Sequence, residues 1–169
     1  VAGSHLYGYA SDASDQDFFE VHTNRFPHPN NPKKQPVDSE QTIVDGVDVV
    51  RMTLSRFVER AAAGSHQALD AMFAGSPEID LLGGFRTSWR AGFEVIPAYQ
   101  RIISKFAVQE GFRKQRHAVR AMLNIHEILE TGRYQPELNS KQIQYVMEHA
   151  VYPYREFREF LIKESKIEL

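Results

Sequence analysis

Gln41-Thr42-Ile43-Val44-Asp45-Gly46-Val47-Asp48-Val49-Val50-Arg51-Met52, followed directly by Thr53-Leu54-Ser55-Arg56-Phe57-Val58, is where the chain changes character. The first part is rich in β-branched residues, and Asp45-Gly46 in its middle is a dipeptide suited to a tight turn. From Thr53 onward the apolar period moves from two to about 3.6. Leu54, Phe57, Val58 and Ala61 make one helical stripe, and Gly64 is a natural stop. Strand-like sequence running into a succession of helical patterns predicts an α+β fold, with a small sheet first and helices after it.

Working outward, residues 15–22 (Asp, Gln, Asp, Phe, Phe, Glu, Val, His) read as a further strand. Between the strand regions, residues 24–39 hold Pro27, Pro29, Pro32 and Pro36 with Lys33 and Lys34, a pattern that predicts a mobile, weakly basic loop. Downstream, Ser65 caps a short helix carrying Ala68, Leu69, Met72 and Phe73 that Gly75 ends. Pro77, Gly83, Gly84 and Gly92 interrupt any long pattern over residues 76–95. Helices are expected over residues 99–106, 111–130, 140–150 and 154–163. In the second of these, Val119, Met122, Leu123 and Leu129 are expected to face inward, with Arg113, Arg116, His117, Arg120 and Asn124 on the polar side. The division expected is a sheet-bearing core over residues 1–75 and a helical region over residues 76–169 packed on it.

The chain has 169 residues, 42% hydrophobic and 25% charged, the balance of an ordinary globular protein. A formal net charge of −2 gives no global pull toward nucleic acid or an anionic membrane, so any such contact needs a local basic patch. Cysteine is absent, which excludes disulfides and thiolate metal sites and fits a reducing compartment. No apolar run approaches the ~18 residues of a membrane span. With no signal-peptide pattern at the start, the expectation is a cytoplasmic protein without a membrane partner.

Two carboxylates, Asp15 and Asp17, stand one residue apart in the first predicted strand, so both point to one face while Gln16 points to the other. Carboxylates side by side repel unless a cation lies between them. Hard cations such as Mg²⁺ take oxygen ligands and usually share them with substrate phosphates. Upstream, Gly3-Ser4 forms a turn that can cradle phosphate.

Taken together, Gly3-Ser4-His5-Leu6-Tyr7-Gly8, Ser14-Asp15-Gln16-Asp17 and Asp48 in Gly46-Val47-Asp48-Val49-Val50 resemble the DNA polymerase beta-like nucleotidyltransferases. The opening is most similar to the members associated with RNA repair. The likeness extends through Leu54-Ser55-Arg56-Phe57 and Gly64-Ser65-His66, and more weakly through Lys114-Gln115-Arg116-His117-Ala118-Val119-Arg120 and Leu129-Glu130-Thr131-Gly132, roughly residues 1–135. The resemblance implies a small mixed β-sheet nucleotidyltransferase core followed by a helical half. It implies that Asp15, Asp17 and Asp48 hold Mg²⁺ or Mn²⁺ and that Asp48 helps to deprotonate an attacking hydroxyl. Gly3 and Ser4 would bind the nucleotide, with Lys114 or Arg120 neutralising its phosphates from the helical half. The substrate would be an NTP, ATP among the candidates, and the acceptor a hydroxyl on RNA, DNA, a small molecule or a protein.

Two other readings use the same residues. A metal-dependent nuclease or phosphodiesterase differs chiefly in using water as nucleophile. A non-catalytic nucleotide-binding module would keep the fold without the metal. His22, His28, His66, His126 and His149 show no zinc-like spacing and read as structural or surface groups. Trp89, near Arg86 and Arg90, reads as a core anchor before a base-stacking platform. Asp45 suits the turn before Gly46.

Overall fold

A computed structural model describes residues 6–8, 17–31, 33–45, 47–74 and 83–165. Among these, β1 (Asp17–His22), β2 (Ser39–Val44) and β3 (Val47–Thr53) form one sheet in the order β1-β3-β2. β3 is central, antiparallel to β2 and parallel to β1, so the sheet is mixed. The β2–β3 hairpin turns where Asp45-Gly46 predicts it. Asp45 has φ 51°, a left-handed conformation that Asp tolerates better than most side chains.

The parallel register sets Asp17 beside Asp48, Phe19 beside Val50 and Val21 beside Met52 on one sheet face. That face meets the helices: the Phe19 ring centroid lies 5.6 Å from that of Phe57. On the opposite face Arg51 reaches Glu20 at 2.8 Å and Glu40 at 3.3 Å, linking all three strands. Hydrogen bonds from His22 and Arg51 hold the Glu20 carboxyl below the usual carboxylate range.

β3 runs without a loop into α1 (Leu54–Ala62), because Thr53 ends the strand and its hydroxyl accepts from the Arg56 N–H at 3.3 Å as the helix cap. Gly64 then has φ +77°, and a Cβ there would stand 2.7 Å from the Val95 Cα. Only glycine meets both demands. α2 (His66–Phe73) and α3 (Gly83–Ser88) follow, then α4 (Val95–Ala107) and the 20-residue α5 (Phe112–Thr131). Gly132 closes α5 in the left-handed conformation, its N–H on the Ile128 carbonyl. A capping box of Asn139 and Gln142 starts α6 (Ser140–His149), and α7 (Tyr154–Ser165) completes the described chain. One core joins the sheet to the helices: Met52 and Phe57 belong to the same buried cluster as Tyr99, Met122, Phe157 and Leu161.

Several expectations need correction. Residues 24–39 are tied down at both ends, since Phe26 and Val37 exchange both backbone hydrogen bonds and Arg25 grips Asp38 through two. The apolar ring of Phe26 is buried there, which proline counting alone does not foresee. Residues 83–88 form α3, docked by the Arg86 guanidinium on the Met72 and Ala74 carbonyls. On α5, Arg120 and Asn124 are buried and Leu129 is exposed, the reverse of the single-stripe reading. α5 packs against α4, α6 and α7, so burial extends well beyond one apolar stripe. Leu54 is likewise exposed, leaving Phe57, Val58 and Ala61 as the packed face of α1. Ser65 occupies the cap position of α2 but its hydroxyl makes no capping bond. Trp89 packs as an anchor, edge-on to Phe73 and with its indole N–H on the Ala61 carbonyl at 3.4 Å.

Candidate functional site

The sheet and helices α2, α4 and α5 border a partly open cavity of about 150 Å³. The sheet contributes Phe18, Phe19, Asp48 and Val50, α2 contributes His66, Gln67 and Asp70, and α4 and α5 contribute Phe106, His117 and Arg120. Tyr7, from the Gly3–Gly8 stretch, completes the wall.

Asp48 is the carboxylate on the sheet side. Gln41, on β2, donates from Nε2 to Asp48 Oδ2 at 2.7 Å. The other oxygen, Oδ1, is buried and has no hydrogen-bond partner among the described residues. A buried carboxylate oxygen without a donor is costly unless a cation completes it. Asp17 is the direct register neighbour of Asp48. Adjacent strands lie about 4.8 Å apart, so the two acidic positions are backbone neighbours across the sheet. The donor type Asp48 offers is a carboxylate oxygen, the kind that hard cations take. Among the described residues no group of three His, Asp or Glu side chains is gathered around one point. Gly3, Ser4 and Asp15 lie outside the described residues, and Asp17 is placed by its backbone.

Behind the cavity, Asp70 is a buried hub. Its two carboxylate oxygens accept from the hydroxyls of Tyr7 and Tyr134, and Arg120 Nη1 lies 3.6 Å from Oδ1. The Arg120 guanidinium also stacks 3.8 Å from the Tyr7 ring centroid. Burial first, and then the Asp70 charge, push the Tyr99 and Tyr134 phenols above their ordinary range. Through Tyr7 this hub ties residues 6–8 to α2, α5 and the segment after α5.

The two cavity histidines are neutral near pH 7. Burial, reinforced by Arg120, pushes His66 down to about 4. Burial again leads for His117, with Arg120, Arg116 and Arg113 adding repulsion, and takes it down to about 3. His117 stacks on Phe106 with ring centroids 5.2 Å apart. Over the same Phe106 ring stand Lys105 and Lys114, with Nζ at 5.8 and 5.7 Å from its centroid. Neither lysine has an acidic partner among the described residues. Two lysine ammoniums therefore share one ring of the cavity wall, while Arg120 is set against Asp70.

Of the residues expected from sequence, Asp48 and Arg120 line this cavity, Asp17 is the backbone register neighbour of Asp48, and Lys114 stands over the lining ring of Phe106. His66, which reads from sequence as structural or surface, and His117, which reads as solvent-facing, both line it. So do Gln67, Phe106 and Asp70, and Gln41 supports it from outside. One signal for His117 was present: Lys114, His117 and Arg120 recur every three residues along one side of α5. No such signal marks Asp70, whose partners lie more than sixty residues away at Tyr7 and Tyr134. Comparison with protein-family models, with curated proteins and with solved structures finds no match to the chain.

Proposed function

We propose that this chain is a metal-dependent nucleotidyltransferase that moves a nucleoside monophosphate from an NTP to a hydroxyl acceptor and releases pyrophosphate. The observation that carries this reading is the parallel register of Asp17 beside Asp48, at a cavity where Asp48 Oδ1 has no donor among the described residues. Asp48 and Asp17, with Asp15, would hold Mg²⁺ or Mn²⁺. Bound there, paired cations neutralise the charge that develops on the attacking and leaving oxygens of an in-line phosphoryl transfer.

The chain's own groups prepare that chemistry. Gln41 fixes Asp48 by one oxygen and leaves the other for the cation. The Tyr7–Asp70 bond holds Tyr7 at the cavity wall, and Gly3 and Ser4 would cradle the triphosphate with backbone N–H groups. Lys105 and Lys114 at the rim supply positive charge to phosphate oxygens, and the aromatic walls exclude water from the reacting centre. RNA or DNA is the acceptor that the sequence resemblance favours.

The direct test incubates the protein with α-labelled NTPs, Mg²⁺ or Mn²⁺ and RNA, DNA and protein acceptors. Label transfer that Asp48→Ala and Asp17→Ala abolish supports the reading. Label-free cleavage of the nucleic acid by the same carboxylates would replace transfer with hydrolysis. Silence from wild type and both variants alike would sink it.

A further inference from the structure

We propose that the helical wall of the cavity is a nucleobase subsite, with Gln67, His66 and His117 reading the edge of an adenine ring. The inference rests on the nucleotidyl-transfer reading for the kind of ligand, and on four separate observations for the subsite.

The first is unspent hydrogen bonding. The Gln67 amide and the His66 and His117 imidazoles all line the cavity, and none makes a side-chain hydrogen bond to a described residue. Gln67 is exposed and the two imidazoles are part-buried, so water serves these groups in the free protein and a ligand entering the cavity can take its place. Three of them facing one space present a set of donors and acceptors that awaits a partner.

The second is charge. Both imidazoles are neutral near pH 7, so they attract no phosphate. Arg120, the cation inside, is already set against Asp70. The positive charge without an acidic partner stands at the rim, on Lys105 and Lys114. The interior therefore suits an uncharged ring and the rim suits phosphate.

The third is shape. Phe18 and Phe19 wall the cavity on the sheet side, with Phe106 and His117 stacked on the helix side. Flat heterocycles are held by such aromatic faces, at about 1–3 kcal/mol per stacked base in single-stranded nucleic-acid sites. The fourth is size. At about 150 Å³ the cavity holds the liquid share of about five waters, half the lower bound of about 300 Å³ for pockets that enclose a whole drug-sized ligand. One base fits against the helical wall, with the sugar and phosphates toward the Asp48 side of the cavity.

Adenine is the base this set favours. A glutamine amide pairs in bidentate fashion with its amino group and a ring nitrogen, whereas guanine is the partner of a free Arg or Lys. Among the described residues that line the cavity, Arg120 is set against Asp70, while Lys105 and Lys114 are not part of the lining.

The test separates base from phosphate by using probes that carry only one of them. Ligand-observed NMR titration with adenosine, guanosine, cytidine and uridine, without metal, reads the base subsite. Calorimetry with inorganic tripolyphosphate and Mg²⁺ reads the carboxylate end. Adenosine should bind at least about tenfold more tightly than the other nucleosides. Gln67→Leu, at an exposed helix position that keeps the fold, should reduce that preference to about twofold or less. Equal binding of all four nucleosides, no nucleoside binding, or an unchanged preference in Gln67→Leu would each overturn the subsite. Magnesium tripolyphosphate that fails to bind, while adenosine binds selectively, would remove the catalytic reading and leave the subsite standing.

Discussion

Lowering the pH from 7 toward 5 should destabilise this protein through two side chains, His66 and His117. Each has a pKa near 6.5 when unfolded and is held down in the fold, to about 4 and about 3 respectively. Because the unfolded chain takes up these protons first, stability is fully present above about pH 6.5. It falls as the pH drops, for His66 until about pH 4 and for His117 until about pH 3. At pH 5 each imidazole is about 1.5 units below its unfolded pKa, which is worth about 2 kcal/mol per group at 1.36 kcal/mol per unit. The pair then costs up to about 4 kcal/mol, the limit reached when neither ring gains water on charging. That is a large share of the ~5–15 kcal/mol that stabilises a typical domain. The depressed carboxylate Glu20 enters only below about 4.5, so the interval from 6.5 to 5 belongs mainly to the imidazoles. Glu127, raised by burial and by Glu130, acts in the opposite direction and is common to all variants compared. Urea unfolding near pH 7 and near pH 5 measures the loss. A variant carrying His66→Gln and His117→Gln should lose less than about 1 kcal/mol over the same interval. The same loss in that variant as in wild type would refute the assignment.

Asp70→Asn should cost about 3–5 kcal/mol in chemical denaturation, because the substitution leaves Arg120 buried without its counter-charge. Gly64→Ala should destabilise by more than about 1 kcal/mol, since the left-handed backbone and the Val95 contact both oppose a Cβ; thermal melting measures it. Gln41→Ala should lower nucleotidyl transfer about 10–100-fold at saturating NTP while the melting temperature barely moves, as expected for a side chain that orients Asp48.

Much of the fold was legible because its signals are local. Asp45-Gly46 marks the hairpin turn, Thr53 marks the passage from strand to helix, and Gly132 marks the end of α5. The order of a small sheet followed by helices follows from the change of period at Thr53. What was not legible depends on partners distant in sequence. Arg120 reads as a solvated cation on a helical wheel, and becomes buried because Asp70 on α2 and the Tyr7 ring receive it. Phe26 hides in a proline-rich stretch because Val37 pairs with it. At the candidate site, the pairing of Asp17 with Asp48 could be imagined from two strands, but the parallel register that makes them neighbours is a tertiary fact. His66 and Gln67 carry no spacing signal. Their importance comes from which cavity the start of α2 meets.

The mixed sheet has a consequence for the order in which the protein is made ready. β2 and β3 are joined by a tight turn, and such hairpins close within about 1–10 μs. β1 reaches β3 across a separation of 31 residues, as in the Glu20–Arg51 pair, and must wait for that longer loop to close. Asp48 is thus in place on its hairpin before Asp17 arrives beside it. The two acidic positions become neighbours at the last pairing event of the sheet, so a chain with only its hairpin formed would carry half of the proposed cation site. Appearance of tight divalent-cation binding during refolding would then serve as a clock for β1 docking.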